Sequence, residues 1–514
     1  MSVLPGAERS WPRKAMRQRI PPRWAVFTAA VLSLLVGSLW LRASVPRSGE
    51  PVRAAVRANS MAILPFTNAS PDPADDYLGH GVASELTRSL DQLPGLRVAA
   101  RSSAFGLQQA NGDPRVTGRR LNVGAVLQGS IRRSGERLRV TAHLVDVDDG
   151  YDLWSETYER STNEIFAVQD EIRDAVAGTL RIPSAGDSTL PPLRLTRNLA
   201  AYDAYLAGSY LLEQFTPGSA SRAINYLTRA VRLDTSFALA YTALAEAYLR
   251  RGGVESEPPL VAVPLAREAA ARALELDSTL AEAHTTLGDI EFGFERNWRN
   301  AEVHFRRAIA LEPSWPEAYH AYSHYLLAMG RIDEAREASE RAIQLSPGAP
   351  ELIRHLGWHY LHVREFGRAR EALWRAIELD SLAWRPHLDL ALLEQAAGNP
   401  GEAETHLQIP LRVAPQRAEI QVALGQVNAS SGRTDSAQAI LRRLQEAAEQ
   451  RYISPYLIGA LQGSLGQRTQ AFSSLNRAVK ERSDLVAYLR IDPRVDSLRT
   501  DRRFPRLLRQ LRLP

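Results

Sequence analysis

Ala335-Arg336-Glu337-Ala338-Ser339-Glu340-Arg341-Ala342 and Ala369-Arg370-Glu371-Ala372-Leu373-Trp374-Arg375-Ala376 are two copies of one pattern, 34 residues apart. Ala301, Ala403, Ala437 and Ala471 continue it at the same spacing, while Ala266 lies 35 residues before Ala301 and Ala223 a further 43 before that. Four residues after each alanine stands Leu227, Ala270, Phe305, Ser339, Leu373, Leu407, Leu441 or Leu475, and seven after it Ala230, Ala273, Ala308, Ala342, Ala376, Pro410, Leu444 or Ala478. Offsets of four and seven keep one face of a helix. Upstream of each alanine lies a second small position: Gly208, Ala245, Gly288, Ser323, Gly357, Ala391, Gly425 or Gly459. Two antiparallel helices approach closely only where their facing side chains are small. The copies end on helix-stop signals such as Leu233-Asp234, Glu312-Pro313, Ser346-Pro347 and Ala414-Pro415.

On these residues the stretch from Asn198 to Ser483 resembles the tetratricopeptide repeat family, a helix–turn–helix unit of 34 residues. The resemblance implies a superhelix of about eight copies with a concave face lined by the first helix of each. It departs from the family in three loops: three extra residues near Gln214 to Ser219, nine around Glu255-Ser256-Glu257-Pro258-Pro259, and one near Gly293. Pro410 stands where a helical alanine is expected, so the second helix of the sixth copy is expected to kink or end there.

Before the repeats the pattern changes. Met61-Ala62-Ile63-Leu64-Pro65-Phe66 reads as a buried strand, Val82 to Leu93 as a helix, Leu96 to Ala99 as a short strand and Val116 to Leu121 as a short helix. Ala125 to Ile131, Leu138 to Val147 and Tyr151 to Tyr158 read as strands joined by turns at Ser134-Gly135-Glu136 and Asp148-Asp149-Gly150. Ile165 to Leu180 closes the unit as an amphipathic helix. Ala62 to Asn68, Asp72-Pro73, Leu127 to Arg132, Leu153 to Glu156 and Ile165 to Glu171 resemble the TolB-amino-terminal-like α/β module of bacterial regulators. That resemblance implies a module placed between a membrane span and tetratricopeptide repeats. Relatives often carry an output domain before the span. Twenty-three residues are too few to fold one.

Trp24 to Leu41 carries no charge. As a helix it covers about 27 Å, enough to cross a bilayer. Basic residues Arg9, Arg13, Lys14, Arg17, Arg19 and Arg23 precede it, which orients the N-terminus inside. The expected organisation is therefore a multidomain chain: a basic tail (1–23), one transmembrane helix (24–41), a linker (42–58), an α/β (α+β) TolB-amino-terminal-like domain (59–182), a linker (183–197), an all-α tetratricopeptide solenoid (198–483) and a basic C-terminal cap (484–514). The expected location is the inner membrane, single-pass, with the bulk of the chain extracytoplasmic.

The chain of 514 residues has a net charge of +5 and no cysteine. Disulfides, thiolate metal sites and a cysteine nucleophile are excluded, and the charge gives no reason to expect nucleic acid. No phosphate loop, nucleophile elbow or H-E-x-x-H occurs, so neither an enzyme activity nor a cofactor is expected. Gly79-His80-Gly81 reads as a plain turn, and Asp146, Asp148 and Asp149 as a hairpin turn. His355, His359 and His362 share one helical face, and His320 and His324 share another one copy earlier. They read as groove-lining or partly packed imidazoles, and no metal is expected. In the tail, Arg490, Arg494, Arg499, Arg502, Arg503, Arg506, Arg509 and Arg512 face Asp492, Asp496 and Asp501 as a charged terminal cap.

The function expected from these readings is a membrane-tethered scaffold or sensor that binds a protein or peptide on the concave face. The alternative is a component of a signalling or transcription regulator whose output domain is on another chain. In the tetratricopeptide register His320, His324, Arg354, Trp358 and His362 fall at or near the concave positions of the fourth and fifth copies. They are the candidate partner-binding residues.

Overall fold

Strand β1 (Ser60–Ile63) is buried along its whole length. Met61 and Ile63 enter one apolar cluster, while Ala62 and the following Leu64 enter another. A strand covered on both faces needs a continuous apolar run rather than an alternating one. The computed structural model describes residues 59–105, 113–182 and 196–513, apart from 215, 217, 255 and 256. β1 pairs in parallel with β3 (Arg97–Val98) and β4 (Ala125–Ser134). β4 continues antiparallel into β5 (Arg137–Asp146) and β6 (Asp152–Ser161), and the short β2 (Thr67–Asn68) pairs with β4. Helices α1 (Asp76–Asp91) and α3 (Ile165–Thr179) supply one apolar face, and α2 (Pro114–Leu121) with the helical residues 101–105 supplies the other.

Gly79-His80-Gly81 lies inside α1 and is not a turn. A Cβ on Gly79 would sit 1.8 Å from the carbonyl oxygen of Phe66, and one on Gly81 would sit 2.7 Å from Leu206. The two glycines let the helix approach the sheet on one side and the first solenoid helix on the other. The module and the first copies share a single apolar cluster running from Met61 to Ile290. Polar contacts add to it: the Tyr77 hydroxyl donates to Asp203 at 2.6 Å, and Gln169 donates to the Tyr202 hydroxyl at 2.8 Å.

From Leu199 to Lys480 the chain forms eight helix pairs. The first helices are α4 (Leu199–Glu213), α6 (Ala238–Val254), α8 (Ala281–Asp289), α10 (Pro316–Ala328), α12 (Pro350–His362), α14 (Trp384–Ala396), α16 (Ala418–Ser430) and α18 (Pro455–Ser464). Their partners are α5 (Ser219–Leu233), α7 (Pro259–Leu276), α9 (Trp298–Leu311), α11 (Ile332–Leu345), α13 (Phe366–Leu379), α15 (Pro400–Val413), α17 (Thr434–Ala448) and α19 (Arg468–Lys480). Every alanine of the register, from Ala223 to Ala471, is at most 1% exposed. The small upstream positions explain why. A Cβ on Gly208, Gly288 or Gly357 would strike Leu227, Phe305 or Leu373 at 2.6–2.8 Å. Each struck residue lies four after the alanine of its own copy.

Two departures from the period have structural answers. The extra residue near Gly293 is absorbed by a π-helical turn (Ile290–Glu295), whose wider hydrogen-bond ring accommodates one more residue than an α-turn. Pro410 does not end α15, which runs on to Val413 with the proline ring buried. It lies in the last turn, where its missing N–H removes one i→i−4 bond, that to the His406 carbonyl.

The expected fold class needs one correction. Among the described residues no helix is long and apolar enough to cross a membrane. The longest solenoid helix, α7, has 18 residues and carries Arg267, Glu268, Arg272 and Glu275, whereas a span needs about 20 predominantly apolar residues. The stretch from Trp24 to Leu41 lies outside the described residues. One transmembrane helix therefore leaves the fold class, and the single-pass inner-membrane location is withdrawn with it. The linkers at 42–58 and 183–197 also lie outside the described residues, except for 196 and 197.

Candidate functional site: the face lined by the first helices

Consecutive first helices touch each other more than consecutive second helices do, which puts α4 to α18 on the inside of the curve. The five sequence-selected residues lie on two of them, His320 and His324 on α10 and Arg354, Trp358 and His362 on α12. The structure brings them together. The Nε2 atoms of His320 and His324 are 3.1 Å apart. The His324 ring lies 5.3 Å from that of Trp358, which packs against His362 at 3.7 Å.

Arg354 is 8% exposed. Its Nε donates to Glu351 and its terminal NH group to Asp389, both at 2.7 Å. A buried guanidinium requires such pairing. His362 donates from Nδ1 to the Trp358 carbonyl at 2.8 Å, and its Nε2 is buried with no hydrogen-bond partner. Burial holds His320 and His362 down at about 4 and pushes His324, His355 and His359 well below the ordinary imidazole value. At neutral pH the cluster is an uncharged set of rings.

The C-terminal segment lies against this face. After α19 the chain turns back through two short 3-10 helices, Asp484–Tyr488 and Pro493–Leu498. Ala487, Tyr488 and Ile491 join the cluster formed by Phe292, Phe305, Tyr325 and Trp358. The Tyr488 ring meets Trp358 edge-on at 5.0 Å and Phe292 at 5.7 Å. Asp492 is fully buried and accepts from the Tyr456 hydroxyl at 2.8 Å and from Arg494 at 2.6 Å. Burial alone raises a carboxylate, but Arg494 beside it holds Asp492 at about 2. Helix α20 (Arg503–Leu511) packs on the last copy through Phe504, Leu507 and Leu511, in one cluster with Val486, Leu489, Val495 and Leu498 of the returning segment.

The turn between the two helices of a copy fixes this segment. Gly330, Gly398, Gly432 and Gly466 take positive φ there, one per copy. The equivalent residues of copies three and five are Arg296 and Arg364, at φ 58 and φ 66. A side chain in this conformation costs about 1 kcal/mol. Both arginines reach the C-terminal part of the chain: Arg296 donates to the Val479 carbonyl at 3.0 Å, and Arg364 to Asp496 at 2.7 Å. Sequence reasoning missed the segment, and with it Tyr488 and Asp492 as groove residues. Arginine in a glycine register was the signal that could have found it.

The family comparison agrees with the repeat geometry. The tetratricopeptide repeat model matches residues 316–358, which hold four of the five selected residues. "Putative adenylate cyclase 3" of Rhizobium meliloti is 32% identical over 234 residues, 44% of this chain and 39% of that protein. The transcriptional regulator HilA of Salmonella typhimurium is 30% identical over 131 residues, 26% of this chain and 24% of the regulator. The chain thus spans well under half of either relative. Among solved structures, PilF of Pseudomonas aeruginosa is 21% identical with a TM-score of 0.33, covering 42% of this chain and 92% of that one. YrrB, described as a tetratricopeptide protein with an unusual peptide-binding site, is 17% identical with a TM-score of 0.26, covering 38% and 95%. Tetratricopeptide proteins generally mediate protein–protein interaction. Residues 316–358 of this chain carry a tetratricopeptide repeat, and copies in the same register flank it on both sides.

Proposed function

We propose that this protein is an interaction scaffold that holds an extended protein segment on the face lined by its first helices. His320, His324, Arg354, Trp358 and His362 line the place where the segment is held. One observation carries this reading: the face already holds a segment of protein, residues 484–498 of the chain itself. Tyr488 sits on Trp358 as an aromatic anchor, and Arg364 pairs with Asp496 at the edge. Aromatic anchors and arginines concentrate binding energy at interfaces. A partner segment of similar character, with an aromatic followed by acidic residues, displaces this occupant or joins it.

A role in signalling is the second reading. The two relatives carry different outputs in their names, a cyclase and a transcriptional regulator, and each matches this chain over only part of its length. The shared part is then an interaction or sensing portion, in keeping with the resemblance of Ser60 to Leu180 to the TolB-amino-terminal-like module.

The test uses the full chain with Tyr488→Ala to loosen its own segment, titrated with a synthetic peptide of residues 484–499. The peptide should bind the loosened chain and bind at least about tenfold more weakly when Trp358→Ala is added. No binding to the loosened chain, or equal binding with and without Trp358, would contradict the proposal.

A further inference from the structure

Five imidazoles are gathered on α10 and α12. His320 and His324 stand one turn apart on α10, and His355 comes across from α12, its ring 4.5 Å from that of His320 and 4.6 Å from that of His324. One nitrogen from each of the three lies within 4.8 Å of the others. Zinc–imidazole bonds of about 2.0–2.1 Å place tetrahedral ligand atoms about 3.4 Å apart. Small rotations of these rings reach that geometry. All three residues are half-buried, so an ion can enter from solvent.

The surroundings orient the rings. His324 Nδ1 faces His359 Nε2 at 3.4 Å, His359 Nδ1 faces Ser339 Oγ at 3.0 Å, and the Ser339 hydroxyl donates to the Ala335 carbonyl at 2.9 Å. With the protons running down this relay, His324 keeps Nδ1–H and turns the lone pair of Nε2 toward His320. Outer partners of this kind fix the tautomer of ligating histidines. The Nδ1 of His355 is buried and has no hydrogen-bond partner, so it is the ring atom free to take an ion. The Nε2 of His355 accepts from Arg354. Coordination through Nδ1 moves the proton to Nε2, which turns toward Glu351, now 3.9 Å away.

We propose that His320, His324 and His355 form a binding site for a divalent transition-metal ion of the zinc class, joining the fourth and fifth copies. Nitrogen donors without thiolates or a carboxylate cage favour such ions over magnesium or calcium. The reading of the histidines as groove-lining or partly packed imidazoles came from helical spacing, which does not fix the distance between rings on neighbouring copies.

The experiment uses the full chain, stripped with chelator and titrated with Co²⁺ by visible absorption and with Zn²⁺ by calorimetry. Wild type should take one ion at this site with the intense visible bands of a low-coordinate cobalt centre. Loss of an outer partner alone weakens metal sites about 10–100-fold, so His320→Gln/His324→Gln should weaken Zn²⁺ binding by more than about 100-fold. The control is His284→Gln/His304→Gln, which removes a separate pair whose Nδ1 atoms lie 3.0 Å apart; it should leave the cobalt bands unchanged. Circular dichroism of the metal-free variants checks folding, and His355→Gln alone replaces the double variant if that one does not fold. Equal affinity in wild type and the His320/His324 variant, no cobalt bands in wild type, or their loss in the control variant would overturn the proposal.

Discussion

The turns of copies three and five differ from those of copies six, seven and eight. Gly398, Gly432 and Gly466 have positive φ, and a Cβ on any of them would meet nothing within 4 Å. Arg296 and Arg364 hold the same conformation at a cost that glycine avoids; Arg296 reaches the Val479 carbonyl at the end of α19, and Arg364 reaches Asp496 in the returning chain. Gly330, between them, lies against Arg490, which a Cβ there would meet. The period builds the solenoid. The places where the period is broken mark what the solenoid holds.

The largest effect should come from the buried end of the held segment. Asp492→Ala leaves the Arg494 guanidinium unpaired beside the Tyr456 ring. Removing one partner of a buried ion pair costs about 3–5 kcal/mol. Urea unfolding of the full chain should show this loss, while Glu275→Ala, whose pair with Arg272 is on the surface, should cost less than about 1 kcal/mol. Equal losses would mean that the segment is not seated as described.

Acid should act on the same region. His362 is held at about 4 by burial, with Asp492, Arg494 and Arg364 as the charged groups around it. The unfolded chain takes up the proton near 6.5, so stability is complete above that value and falls as pH drops from 6.5 toward 4. The loss from this one ring is roughly 3 kcal/mol. His362→Gln in chelator-treated protein should flatten that part of the stability curve, and an unchanged curve would place the titration elsewhere.

The repeat register is tested by Ala369→Leu. Ala369 is fully buried opposite Gly357, and overpacking this contact costs about 1–3 kcal/mol. An unchanged melting temperature would show that the two helices do not meet there. The smallest effect is the sharpest comparison of turns. Arg364→Gly relieves the backbone cost and loses one exposed ion pair, so it should change stability by less than about 1 kcal/mol. Gly398→Arg incurs the backbone cost with no partner to offset it, and should destabilise by about 1 kcal/mol.

The solenoid was legible because its contacts are local and repeated. Ala369 and Gly357 lie one helix hairpin apart, and eight copies of that pairing write the same small residues into the sequence. The sheet was legible in Met61 to Phe66 and in the three strands after Ala125, where apolar runs meet turn residues. Boundaries were less so: α1 begins at Asp76, six residues before Val82, because Pro73 and Asp72 start a turn that leads into it. The seat of the C-terminal segment was not legible. Tyr488 and Trp358 are far apart in sequence, and a single long-range contact leaves no periodic trace. The same holds for the union of His355 with His320, and for Gly81 against Leu206.

Hydrogen–deuterium exchange on the full chain tests the central claim most directly. Peptides covering 484–499 should be protected in wild type, and Trp358→Ala should release them while the α5 and α17 peptides stay protected. Exchange of 484–499 at the rate of an unstructured peptide in wild type, or protection unaffected by Trp358→Ala, would contradict the account.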